Sequence, residues 1–215
     1  MYTVFLLGNI ASGKSTVARL LEDRGALRID LDAWAKDLYQ PGSAVVAEIA
    51  EEFGFDVLDE AGGIRPAVLA ARAFATSEAT ARLNAIVHPR LVEQLSRTLL
   101  PPVCCVASVP EHALAVVEVS APSGFREAFG LADEVMVVSA PLEVRRERAR
   151  MRGMSYEDFD RRAEVQPSDG ELAAMGTFVI DNTGSREDLE RALDAWLSAR
   201  GFGESASTPR PGEVE

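Results

Sequence analysis

Gly8-Asn9-Ile10-Ala11-Ser12-Gly13-Lys14-Ser15 lies between an apolar run, Tyr2–Leu7, and Thr16–Arg24, where Val17, Leu20 and Leu21 share one helical face. Every fixed position of the G-x-x-x-x-G-K-[ST] pattern is filled, in the strand, loop and helix order that the pattern demands. Average glycine usage makes such a match an accident in only about one chain in a hundred of this length. The residue types carry the reason. Glycines let the backbone curl so that successive N–H groups face a phosphate, and the helix that follows adds its positive N-terminal end. The pattern therefore predicts that Asn9, Ile10, Ala11, Ser12, Gly13, Lys14, Ser15 and Thr16 line a site for ATP. Lys14 reaches the β- and γ-phosphates, Ser15 offers its hydroxyl to Mg²⁺ as the metal-binding residue, and Thr16 stands near the α-phosphate.

Outward from this loop, Gly25 closes the helix and Ala26–Ile29 reads as a second short strand, completing a βαβ unit. From Ala33 to about Leu100 no strand pattern occurs, and helical stretches are broken at Pro41-Gly42, Gly62-Gly63, Pro66 and His88-Pro89. Ala115–Val119, Glu134–Val138 and Thr177–Ile180 are apolar runs suited to parallel strands buried on both faces. Arg186–Ala199 is a final amphipathic helix. Leu99–Ala113 is interrupted by Pro101, Pro102 and Pro110 and is compatible with either helix or strand. The expected fold is α/β: a three-layer P-loop kinase fold with a parallel sheet, a helical insertion and a helical lid. The kinase domain covers 1–200, with the insertion at 33–100 and the lid at 145–170, and 201–215 is expected to be a disordered tail.

At 215 residues with 47% hydrophobic and 26% charged residues, the chain suits one ordinary domain with a small insertion. Its net charge of −12 argues against nonspecific partnership with nucleic acid or anionic membrane, because the whole-molecule field repels a polyphosphate surface. No apolar run approaches the roughly 20 residues that cross a bilayer, and Met1 leads directly into a strand rather than a signal peptide. A cytoplasmic location is expected. Cys104 and Cys105 are adjacent, lack metal-ligand spacing, and are expected to be a reduced, partly buried pair. Oligomeric state is left open, with a monomer favoured.

A phosphate loop does not by itself separate kinase from GTPase or motor, so acceptor chemistry has to come from elsewhere. Asp30 and Asp32 follow the second strand, whose C-terminal end faces the ligand crevice in an open parallel sheet. Asp32 is assigned the role of orienting an acceptor hydroxyl and removing its proton late in transfer. Asp30 suits an N-cap for the helix that begins near Ala33, with Asp32 as the alternative cap. Glu143–Gly153 is the most basic part of the chain, with Arg145, Arg148 and Arg152 on one helical face, where arginine forks suit a transferring phosphoryl group. Met154–Gln166 reads as a lid that excludes water from ATP, the alternative being an ordinary exposed helix.

In their order, these and further motifs resemble the dephospho-coenzyme A kinase family, from the N-terminal strand to Leu197. The loop is followed by Ile29-Asp30-Leu31-Asp32, Gln40-Pro41-Gly42-Ser43, Phe53-Gly54, Val57-Leu58 and Gly63, then Leu83-Asn84-Ala85-Ile86-Val87-His88-Pro89. Pro141-Leu142-Glu143-Val144-Arg145, Glu147-Arg148, Arg152, Gln166 and Val179-Ile180-Asp181-Asn182-Thr183-Gly184-Ser185 complete the series. The resemblance implies phosphorylation of the ribose 3′-hydroxyl of dephospho-coenzyme A by Mg-ATP, the last step of coenzyme A synthesis. It also implies an acceptor-binding role for the insertion, catalytic roles for Lys14, Asp32 and Arg148, and acceptor contacts from Asp32, Lys36 and His88.

The chain departs from the family pattern at Asn9 and Ala11, where the family carries glycines, and at Lys36, where it carries arginine. It departs again after Glu118-Val119, where Ser120-Ala121-Pro122-Ser123-Gly124-Phe125 replaces the family's Pro-Leu-Leu-Phe-Glu. Another small-molecule P-loop kinase, and a regulatory protein that binds ATP without turnover, are the competing readings. The intact Lys14, Ser15, Asp32 and Arg148 weigh against the second of these.

Overall fold

β1 (Tyr2–Leu7) is the apolar run ahead of the glycine loop, and its burial rises to complete by Val4. In the computed structural model, which describes residues 1–100 and 111–202, it is the middle of a five-stranded sheet of order β2-β3-β1-β4-β5. The other strands are β2 (Leu27–Asp30), β3 (Leu114–Glu118), β4 (Glu134–Ser139) and β5 (Phe178–Asp181). β1 runs parallel to β3 and to β4, and β4 runs parallel to β5. Parallel strands need crossovers, and α1 (Lys14–Glu22), between β1 and β2 in the chain, supplies the first. Valine and other apolar residues fill β3 and β4 almost without alternation because helices cover both faces of a parallel sheet.

One face of the sheet is closed by α1 and by α9 (Arg186–Ala199). Val4, Leu6, Met136 and Val138 from the strands meet Val17, Leu20 and Leu21 of α1 and Leu189, Leu193 and Trp196 of α9. Each such side chain, fully buried, contributes about 1.5–3 kcal/mol. The C-terminal helix is stitched to the sheet by a polar network as well. Glu134 accepts hydrogen bonds from Tyr2 Oη (3.0 Å), Trp196 Nε1 (3.3 Å) and Arg200 Nη2 (2.6 Å). Burial alone pushes the Glu134 carboxyl upward, and the donors from Arg200, Trp196 and Tyr2 more than offset it, leaving it below the usual carboxylate value.

The described residues fall into two compact units, 1–29, 111–118 and 132–202 in the first, 30–100 and 119–131 in the second. The first holds the sheet's core and α6 (Leu142–Met151), α7 (Tyr156–Glu164) and α8 (Asp169–Met175), the last of which sequence patterning does not single out. The second is helical, as the absence of strand pattern predicts: α2 (Leu31–Asp37), α3 (Ala44–Phe53), α4 (Pro66–Ala73) and α5 (Ser77–Leu99).

His88-Pro89 does not break a helix. α5 runs through Pro89, which costs an amide hydrogen bond and about 3 kcal/mol. Ala79, Leu83, Val87, Leu91, Leu95 and Leu99 recur every four residues and are all buried, so the stripe's burial outweighs the proline. The expectations for 203–215, for Cys104-Cys105 and for most of Leu99–Ala113 lie outside the described residues. No helix of the described residues is long and apolar enough to cross a membrane.

Candidate active site

The loop between β1 and α1 turns back on itself through a hydrogen bond from the Ser12 amide to the Asn9 carbonyl (3.0 Å). Gly13 has φ +103°, and a Cβ there would sit 2.0 Å from Asn182 Nδ2, so both conformation and space demand glycine. Ala11 is left-handed as well, at φ +59°, in the position where the sequence departs from glycine. α1 then starts at Lys14 with no side chain capping it, and the first amides of a helix find no acceptor within the helix itself. Those amides and the helix dipole make an anion-binding end.

Two carboxylate and amide contacts secure this end from below. Ser15 Oγ donates to Glu118 Oε2 at 2.7 Å, and Glu118 is itself buried, 4% exposed, at the end of β3. Arg28 Nε donates to Glu118 Oε1 at 2.8 Å. Sequence reasoning missed Glu118, although a carboxylate that ends an apolar strand beside the loop strand was a usable signal. Asn182, just past β5, donates from Nδ2 to the Ser12 carbonyl at 2.7 Å, and its own carbonyl accepts from Arg148 Nη2 at 2.8 Å.

Of the arginines predicted to share a phosphate-facing side, the structure separates the roles. Arg145 is 4% exposed and is taken up by Asp169 (3.0 Å) and the Ala140 carbonyl (2.9 Å), and Arg152 lies past the end of α6, exposed. Arg148 is held by Asn182 beside the loop, and its Nη1, like Ser12 Oγ, is buried with no hydrogen-bond partner. A buried donor left unpaired costs about 1–3 kcal/mol, so both atoms suit an anionic partner.

The segment read as a lid touches the loop directly. Ile10 donates its amide to Gln166 Oε1 (2.8 Å), and Asn9 Nδ2 donates to the Pro167 carbonyl (3.1 Å) and to Asp169 Oδ1 (2.9 Å). Within that segment, α7 packs against α6, with an Arg146–Asp160 ion pair of 2.8 Å between them, and its Phe159 is fully buried.

In the second unit, Asp30 is the cap of α2, its Oδ1 accepting from the amides of Asp32 (3.0 Å) and Ala33 (3.1 Å). Asp32 is left exposed in the first turn, with exposed Lys36 one turn further on the same face. His88 lines a cavity of about 640 Å³ together with Asn84, Pro89, Gly124, Phe125 and Glu127. Burial pushes the His88 imidazole below its usual value, against a hydrogen bond to the Gly124 backbone and the charge of Glu127. The departing Ser120–Phe125 segment is therefore part of this cavity's wall, through a 3-10 turn at Pro122–Gly124 and an edge-on contact of Phe125 with His88 at 5.3 Å.

The family model for dephospho-CoA kinase matches residues 2–188. The chain belongs to the dephospho-CoA kinase family. It is 42% identical over 199 residues to the dephospho-CoA kinase of Corynebacterium diphtheriae, covering 91% of this chain and 96% of that one. A Thermus thermophilus crystal structure is 33% identical, covers 92% of this chain and 97% of its own, and superposes with a TM-score of 0.72. Dephospho-CoA kinase from Campylobacter jejuni, 22% identical with a TM-score of 0.64 over 93% of this chain and 98% of its own, has the same fold. The chain fills every fixed position of the phosphate loop, and the turn after β3 lies beside His88.

Proposed function

We propose that the chain transfers the γ-phosphoryl group of ATP to the ribose 3′-hydroxyl of dephospho-CoA, forming CoA and ADP as the final step of CoA synthesis. Membership of the family supports the reaction, and the observation that carries it is the uncapped start of α1 set against Ser12, Asn182 and Arg148. Lys14 and the first-turn amides bind the triphosphate, and Arg148 turns its unpaired nitrogen to the group in transfer. Asp32 orients the acceptor hydroxyl and accepts its proton, with Lys36 and His88 as acceptor contacts.

The site also suits Mg²⁺. Ser15 Oγ and the buried carboxylate of Glu118 are hard oxygen groups side by side, and no cluster of three or more His, Cys, Asp or Glu able to hold a metal occurs among the described residues. The phosphates themselves would complete the ligand set, with Ser15 as the protein's direct ligand. Bound there, the metal offsets negative charge on the phosphates during transfer. The helical unit around α2 and α5 serves as the acceptor-binding part of a kinase domain over 1–200, and 145–170 as its lid. We further place the enzyme in the cytoplasm, acting on ATP and dephospho-CoA with no nucleic-acid or membrane partner.

A coupled ADP-release assay across dephospho-CoA, several nucleosides and buffer tests this reading. ADP release that depends on dephospho-CoA is expected, and equal release with buffer alone would refute it.

A further inference from the structure

Glu118 is shared between two donors in a way that the phosphate loop does not require. Its Oε2 accepts only the Ser15 hydroxyl among the hydrogen bonds described above, while its Oε1 is gripped by the Arg28 fork, through Nε at 2.8 Å and Nη2 at 2.7 Å. Arg28 reaches it from β2, the strand beside β3, and also lies 3.5 Å from Glu22. The carboxylate is 4% exposed and the arginine side chain 21% exposed, so neither group is freely rinsed by solvent. Arg28, Glu118 and Ser15 thus link β2, β3 and the start of α1.

A buried carboxylate is costly to hold without a paired charge, and a planar guanidinium fixes its direction as well as its charge. With one oxygen fixed by Arg28, the other is presented to Ser15, and the hydroxyl proton is committed to Glu118. The lone pairs of Ser15 Oγ then face away from Glu118, toward the open end of α1, where a cation accompanying phosphate would sit.

We infer that Arg28 is a positioning residue for cation-assisted nucleotide binding: through Glu118 it sets the direction of the Ser15 hydroxyl. The inference rests on the nucleotide-binding reading above and adds to it a residue two strands away from the loop.

The test is a calorimetric titration of ADP into the full chain, with Mg²⁺ and with EDTA, for the native protein, Arg28→Met and Arg28→Lys. The native protein is expected to bind ADP more tightly with Mg²⁺. Arg28→Met should lower that Mg²⁺ enhancement by about tenfold while leaving the affinity in EDTA within about twofold. Arg28→Lys, which restores charge without the fork, should recover part of the enhancement. An unchanged enhancement in Arg28→Met, or an equal loss of affinity with and without Mg²⁺, would overturn the inference, the second because it marks a purely structural role. Should Arg28→Met fail to give a cooperative thermal melt, Arg28→Lys decides alone: a reduced enhancement supports the inference and a full one overturns it. A native protein that binds ADP with no Mg²⁺ enhancement defeats this inference and leaves ATP binding standing, whereas no ADP binding at all defeats both.

Discussion

Asn182 and Ser12, 170 residues apart in the chain, are joined by a buried hydrogen bond of 2.7 Å from the Asn182 carboxamide to the Ser12 carbonyl. The same carboxamide packs where a Gly13 side chain would be, and the Asn182 carbonyl holds Arg148. One residue after β5 thus sets the shape of the loop and the place of an arginine together. Asn182→Ala removes the bond worth about 1 kcal/mol and opens space over Gly13, so ATP should bind about fivefold more weakly. Equilibrium titration of the variant checks this.

Ala11 occupies a left-handed conformation that glycine adopts without penalty. Ala11→Gly is therefore expected to stabilise the protein by about 1 kcal/mol, raising the melting temperature by about 2–4 °C. Thermal melting of the two proteins side by side measures it.

Glu134 joins Tyr2, Trp196 and Arg200, whose hydrogen bonds and charge hold its carboxyl below the usual carboxylate value despite burial. A carboxyl lowered on folding contributes fully above the unfolded value and loses that contribution as pH falls through the folded one. The native protein should thus lose stability below about pH 4.5, and Glu134→Gln should cost about 2 kcal/mol at pH 7 while flattening that acid-side loss. Urea melts from pH 3 to pH 7 provide the comparison.

Lys14, Arg148 and Asp32 separate binding from transfer. Lys14→Ala should weaken ATP binding strongly. Arg148→Ala should lower turnover about 10²–10³-fold with little change in acceptor affinity. Asp32→Ala should lower turnover by about 10²–10⁴ while ATP affinity is kept. Steady-state kinetics paired with ATP titration distinguishes them, and equal loss of ATP affinity in Lys14→Ala and Asp32→Ala would contradict the base assignment.

Short-range signals were the legible ones. Tyr2–Leu7 and Arg186–Ala199 stand as strand and helix with the bounds that their apolar patterns predict, and the loop lies between strand and helix as its spacing demands. What patterning could not show depends on neighbours brought in from afar. Pro89 looked like a stop because only tertiary burial of the α5 stripe outweighs its local cost. Arg145, Arg148 and Arg152 were equivalent on a helical projection, and only Asp169 and Asn182 tell the buried tie from the loop-facing arginine. Glu118 is marked in the sequence only as a carboxylate ending an apolar strand, and its ties to Ser15 and Arg28, far from it in the chain, appear only in the fold.

The most direct test of the central claim is phosphorus NMR of the product made by the purified protein from ATP and dephospho-CoA. A new phosphomonoester on the ribose 3′-oxygen, formed one for one with ADP, is the predicted result. Inorganic phosphate in its place, or a phosphate on any other oxygen, would contradict the account.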